Sequence, residues 1–127
     1  DALLSGMDPS AFDALLLPGG PAVAALRKEE GMVSLVRCFG EAGKVVAGIC
    51  AAPLLMHDAG LLEGRRHTAH FTTQEELLAA EGEERVIVDG SLVTSRGAGT
   101  AVEFGLALAA LLEGKEAVQE VAEAIMV

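Results

Sequence analysis

Apolar and polar positions change period several times along the chain, and each change marks an element. Asp13-Ala14-Leu15-Leu16-Leu17 runs into Pro18-Gly19-Gly20-Pro21, the pattern of a buried strand opening into a tight loop. Pro21 suits the first position of a helix, where its missing N–H costs nothing. Over residues 31–42, Met32, Val33, Leu35, Val36 and Phe39 fall at helical spacing, and Gly43 supplies the residue that ends a helix. Lys44-Val45-Val46-Ala47-Gly48-Ile49 does not alternate. Such a run predicts a parallel strand covered on both faces. It passes straight into Cys50-Ala51-Ala52-Pro53 and a short helix over 54–59, stopped by Gly60.

The second half reads more faintly. A short strand is expected at 66–69. Thr73 and Glu76 have capping-box spacing ahead of Leu77 and Leu78, and Thr100 and Glu103 repeat it at the start of the longest helix, to about residue 112. Between them, Arg85-Val86-Ile87-Val88 and Leu92-Val93-Thr94 flank Asp89-Gly90-Ser91, a hairpin signal. A last amphipathic helix follows from Lys115. Strands alternating with helices predict an α/β fold with a mainly parallel sheet. In such sheets ligands bind beyond the carboxyl ends of the strands. Two loops therefore matter most, residues 18–21 and 48–53.

Composition narrows the function. Hydrophobic residues make up 51% of the 127, enough for a core and too many for a disordered chain. Aromatics are only 3%, so that core is aliphatic. The net charge of −10 repels a phosphate backbone, so no nucleic-acid partner is expected. No apolar run approaches the roughly 18 residues a membrane span requires, so no membrane partner is expected either. The start, Asp1-Ala2-Leu3-Leu4-Ser5-Gly6, carries no secretory signal and does not begin with Met. Two cysteines, Cys38 and Cys50, make no disulfide framework and no zinc spacing, so the expectation is a cytoplasmic protein without metal or cofactor.

Gly48-Ile49-Cys50-Ala51-Ala52 places a nucleophile between small residues where a strand turns into a helix. That is the layout of a nucleophile elbow, whose sharp turn lifts the reactive atom clear of the sheet. The helix that follows favours thiolate, and the N–H groups of Ala51 and Gly20 are placed to stabilise an oxyanion beside it. The same spacing also suits a cysteine packed in a core.

Leu17-Pro18-Gly19-Gly20, Gly48-Ile49-Cys50-Ala51-Ala52-Pro53, Asp89-Gly90, Thr94-Ser95-Arg96-Gly97-Ala98-Gly99-Thr100 and Glu103-Phe104 together resemble the DJ-1/ThiJ/PfpI family in order and spacing. The resemblance covers nearly the whole chain. It implies a flavodoxin-like (Rossmann-like) three-layer α/β sandwich, class I glutamine amidotransferase-like, as one domain of 1–127 shortened at its N-terminus. It further implies a homodimer with Cys50 as the reactive, oxidisable cysteine. Protease-like members carry His directly after the cysteine, where this chain has Ala51, and amidotransferases carry a Gly-x-Gln continuation that is missing here. The Ile-Cys-Ala-Ala-Pro form resembles the branch associated with parkinsonism. That branch implies glutathione-independent glyoxalase or deglycase chemistry on small α-oxoaldehydes. The alternatives are a redox-sensing or chaperone-like protein acting through Cys50 and, lower, an amidotransferase-like hydrolase or peptidase. The general base implied by the family is a Glu upstream of Asp1.

The remaining candidates divide by position. His70 matches a family position where a histidine approaches the cysteine, and with Cys50 it is the catalytic candidate. Gly19, Gly20 and Ala51 are the backbone donors, and Arg96 is a site-lining residue or a structural loop arginine. His57 lies seven residues beyond Cys50, about 10 Å along the helix, and is read as a helix-end residue. His67 is a weaker site candidate. Glu103 is read as a cap, Cys38 as packing, and Glu75, Glu76, Glu81, Glu83 and Glu84 as a solvated face.

Overall fold

The computed structural model describes residues 2–127. Its elements are β1 (Ala14–Leu17), α1 (Val23–Leu26), α2 (Glu30–Glu41), β2 (Val45–Ile49), α3 (Pro53–Asp58), β3 (Val86–Asp89), β4 (Leu92–Ser95), α4 (Ala101–Glu113) and α5 (Lys115–Ala124). The strands form one sheet in the order β1-β2-β4-β3. β1, β2 and β4 are parallel, and β3 closes the sheet by an antiparallel hairpin in which Asp89 faces Leu92.

Period-two alternation divides the strand residues between two layers of helices. Leu17, Val46 and Leu92 join Val36, Phe39 and Leu55 on the face covered by α1, α2 and α3. Ala47 and Val93 pack beneath Phe104, with Val45, Ile49 and Leu108 around them, on the face covered by α4. That cover stops short of β1, whose Leu16 is 50% exposed. Gly43 (φ +70°) ends α2 with both bonds of a Schellman motif: Gly43 N–H donates to Gly40 at 3.0 Å and Lys44 N–H to Phe39 at 3.1 Å. Among the described residues, no helix is long and apolar enough to cross a membrane.

The α/β class, the hairpin and the main strands agree with the sequence reading. Five local expectations need correction. Residues 66–69 are extended but form no strand. β4, the strand the segment touches through Thr94, already has β2 and β3 as neighbours, so the segment can join no ladder there. Thr68 N–H instead donates to Thr94 Oγ1 at 2.9 Å, and Thr68 Oγ1 donates to the Glu84 carbonyl at 3.0 Å. Thr73 starts no helix, because its hydroxyl donates back to the His70 carbonyl at 2.8 Å while Glu76 pairs with Arg27. At α4 the box is likewise replaced: Thr100 Oγ1 bonds Ser95 Oγ at 2.5 Å and Glu103 pairs with Arg85. Pro21 lies in the turn before α1 rather than at its first position. Cys38 is exposed, lining a shallow recess with Phe39 and Lys44 at the surface of α2 rather than packing in the core.

Arginine–carboxylate pairs tie the surface together, and Glu76 and Glu81 belong to them rather than to a merely solvated face. Arg27, Arg66, Arg65 and Arg85 hold the carboxyls of Glu76, Glu81, Asp89 and Glu103 below their ordinary values. A carboxyl depressed in the folded state adds stability that is fully present above its ordinary value and is lost as pH falls through the folded one. The thermal midpoint is therefore expected to be level near neutrality and to fall once pH drops below the ordinary glutamate value of 4.5. Circular-dichroism melts across an acid series measure this, and a midpoint independent of acid would refute it.

Candidate active site at the turn after the second strand

The turn at Cys50 is made by its neighbours on both sides. Cys50 itself has φ +65°, a region that costs a non-glycine residue free energy and persists only when its surroundings fix it. They do. Cys50 N–H donates to the Ser95 carbonyl at the end of β4 at 2.8 Å, and Cys50 C=O accepts from His70 N–H at 2.9 Å. Ala52 N–H closes the turn onto Ile49 at 3.1 Å. Pro53 then opens α3, whose Leu54, Leu55 and Met56 are buried and anchor the turn from below.

Missing side chains are as important as present ones. A Cβ on Gly19 would stand 2.6 Å from Cys50 Cβ, 2.8 Å from the Ile49 carbonyl oxygen and 3.2 Å from Ala51 N. A Cβ on Gly48 would meet Met56 Sδ at 2.8 Å. Only glycine lets the loop after β1 lie against the turn after β2. Among the described hydrogen bonds, none is donated by the N–H groups of Gly19, Gly20 or Ala51. Cys50 is half-buried as a residue, and its thiol likewise has no described hydrogen-bond partner. A free thiol therefore stands in a turn whose amide N–H groups have no described partner, an arrangement compatible with addition at a carbonyl carbon.

His70 borders the turn through its main chain. Its ring stacks on Phe71, with centroids 4.4 Å apart, and Nδ1 lies 2.9 Å from Thr72 Oγ1. The ring lines a cleft of about 340 Å³ with Arg85, Arg96, Gly97 and Thr100. Cys50 is not part of that lining. Arg96 reaches the carbonyls of Gly82 and Glu83 only at 3.4 Å, so its charge faces the cleft with weak internal partners. His57 and His67 line a different crevice, where His67 Nδ1 lies 2.9 Å from the Arg65 carbonyl. No group of three or more His, Cys, Asp or Glu among the described residues is placed to hold a metal.

Two contributors escape the sequence reading. Ser95 fixes Cys50 through its carbonyl, and its own hydroxyl is buried against Thr100. The Thr94-Ser95 ending of an otherwise apolar strand was the available signal. Arg27 bonds Asp58 and Glu76, 31 and 49 residues away, and no local pattern marks it.

Comparison with known proteins gives a consistent result. The model of the DJ-1/PfpI family matches residues 1–111. The chain is 39% identical over 131 residues to Protein DJ-1 homolog A of Arabidopsis thaliana, covering 99% of this chain and 33% of that protein. It is 37% identical over 99 residues to Deglycase PfpI of Pyrococcus furiosus, covering 76% of this chain and 60% of that one. The crystal structure of Drosophila melanogaster DJ-1beta superposes with a TM-score of 0.83 at 36% identity, over 91% of this chain and 64% of that chain. The chain thus spans between a third and two thirds of these relatives.

Proposed function

The chain belongs to the DJ-1/PfpI family, and from that premise we propose that it is a cysteine-dependent, glutathione-independent glyoxalase or deglycase-like protein acting on small α-oxoaldehydes. The observation that carries the proposal is the strained Cys50 turn, packed against Gly19 with open N–H donors beside it. A relative named as a deglycase supports the same chemistry.

The Cys50 thiolate adds to the aldehyde carbon of methylglyoxal, forming a C–S bond, and the carbonyl oxygen becomes an oxyanion facing the Ala51 and Gly20 N–H groups. Protonation gives the hemithioacetal. A base then removes the proton from the carbon bearing sulfur, giving an enediol, and the neighbouring carbon takes a proton to leave a lactoyl thioester. Water cleaves the C–S bond, releasing lactate and the thiol. The sum is methylglyoxal plus water to lactate. The base that the family resemblance implies for this proton is a Glu upstream of Asp1; His70, whose ring lines the neighbouring cleft, is the second catalytic candidate, and Arg96 in the same cleft suits the carboxylate of the product. The working form is a cytoplasmic homodimer without cofactor. Incubation with methylglyoxal in the absence of glutathione, followed by proton NMR, should show lactate; a protein that forms none is not a glyoxalase.

A second reading rests on the contrast between the two thiols. Cys50 is half-buried beside free N–H groups that suit sulfinate oxygens, while Cys38 is exposed and lacks them. In a redox-sensing protein, mild peroxide oxidises Cys50 first, each oxygen coming from one peroxide with loss of water. Peptide mass spectrometry should find two added oxygens on Cys50 before any on Cys38. Equal oxidation would remove this reading.

A further inference from the structure

Arg27 lies outside the site but joins three of the segments that flank it. Its Nε and Nη2 donate to the two oxygens of Asp58 at 2.6 and 2.9 Å, and its Nη1 and Nη2 donate to the two oxygens of Glu76 at 2.9 and 2.6 Å. Both carboxylates are gripped in fork geometry by one guanidinium. Such bidentate contacts are directional as well as strong. The Arg27 and Asp58 side chains are only 23% and 22% exposed, so this pair is better shielded than an ordinary surface bridge.

The three anchor points have one thing in common. Arg27 ends the single turn of α1, which follows directly from the Gly19-Gly20 loop. Asp58 is the last residue of α3, the helix that the Cys50 turn leads into. Glu76 lies six residues after His70, in a stretch of turns with no strand or α-helix of its own. A one-turn helix does not hold itself in place. Nor does the His70 segment, whose main-chain link to the Cys50 turn is the single bond from His70 N–H.

We propose that Arg27 is a positioning residue: one guanidinium clamps the segments carrying Gly20, Cys50 and His70 into the register the site requires. The catalytic part of this statement rests on the glyoxalase reading; the thiol and amide parts do not. Releasing the clamp lets the Gly20 loop and the His70 segment drift from the sulfur, and displacements near 1 Å cost about a hundredfold in well-oriented reactions. Lysine does not replace the function in full, because an ammonium cannot fork onto two carboxylates.

The test uses the full chain carrying Arg27→Gln or Arg27→Lys. Iodoacetamide alkylation is followed at Cys50, with Cys38 as the internal reference, alongside hydrogen exchange at the His70 amide and the kcat and KM for methylglyoxal. Arg27→Gln should slow Cys50 alkylation at neutral pH by about threefold or more relative to Cys38. It should speed His70 amide exchange about tenfold while leaving the β2 and β4 amides unchanged. It should lower kcat about tenfold with KM nearly constant, and Arg27→Lys should fall between. An unchanged alkylation ratio and unchanged His70 exchange would overturn the proposal whatever turnover does. A parent chain that makes no lactate would instead remove the glyoxalase reading, and the thiol and amide measurements would still decide the clamp. Should Arg27→Gln fail to fold, Glu76→Gln, which releases only the arm to the His70 segment, is read in the same way.

Discussion

Cys50→Ser should abolish lactate formation from methylglyoxal, with a loss of at least about a thousandfold in kcat/KM. The serine hydroxyl is close in size to the thiol but is a far weaker acid and nucleophile than a thiol. No described hydrogen bond depends on the sulfur. The described bonds that pin residue 50 are made by its backbone N–H and carbonyl, and serine keeps both. The thermal midpoint should therefore stay within about 3 °C of the parent, which separates lost chemistry from lost structure. Lactate production by Cys50→Ser at the parent rate would end the nucleophile assignment. Cys38→Ser is the matched control. That thiol is exposed on α2, and its removal should leave turnover unchanged.

Gly19→Ala is expected to be the most damaging single methyl group in the site. The added carbon would need to sit 2.6 Å from Cys50 Cβ and 2.8 Å from the Ile49 oxygen. Neither obstacle can rotate away. One is a Cβ whose backbone is held by Ser95 and His70, and the other is a main-chain carbonyl at the end of β2. Either the loop after β1 lifts off the turn or Cys50 leaves its φ of +65°. Overpacking of this kind costs about 1–3 kcal/mol, and the rigid backbone here puts the substitution at the upper end. Urea denaturation should show the loss as a lower midpoint with unchanged slope, and turnover should fall together with Cys50 alkylation. A variant of parent stability and parent activity would mean that Gly19 and Cys50 are not in the contact described.

The contrast between these two sites and residues 66–77 explains what the sequence could convey. β1, β2 and the Cys50 turn were legible because their determinants are local: apolar runs set the strands, and Gly48, Ala51 and Ala52 make room for the turn. The hairpin followed from Asp89-Gly90-Ser91 for the same reason. Thr68 and Glu76 were misread because their partners are far away in the chain. Thr68 satisfies its N–H on Thr94, in a strand with no free edge, and Glu76 is taken by Arg27 before it can cap anything. Thr100 and Glu103 had correct box spacing, yet Ser95 and Arg85 compete successfully for their side chains. Of the site itself, the cysteine and its glycines could be located from the sequence. The supports given by the Ser95 carbonyl and the Arg27 fork could not, because they depend on which strands and loops become neighbours.

Leu16 sets one further property, which concerns solutions rather than single molecules. β1 is an end strand of the sheet among the described residues, with β2 as its neighbour, and half of the Leu16 surface faces water. An exposed leucine on a sheet face is an apolar spot on which other molecules can settle. What opposes such contact is long-range repulsion, since each molecule carries a net −10. The range of that repulsion is set by dissolved ions and shrinks from about 30 Å at 0.01 M to about 8 Å at physiological strength. Association of this 127-residue chain beyond its working form is therefore expected to depend on ionic strength: dilute buffer keeps the assemblies apart and added salt lets them approach, which light scattering across a salt series measures.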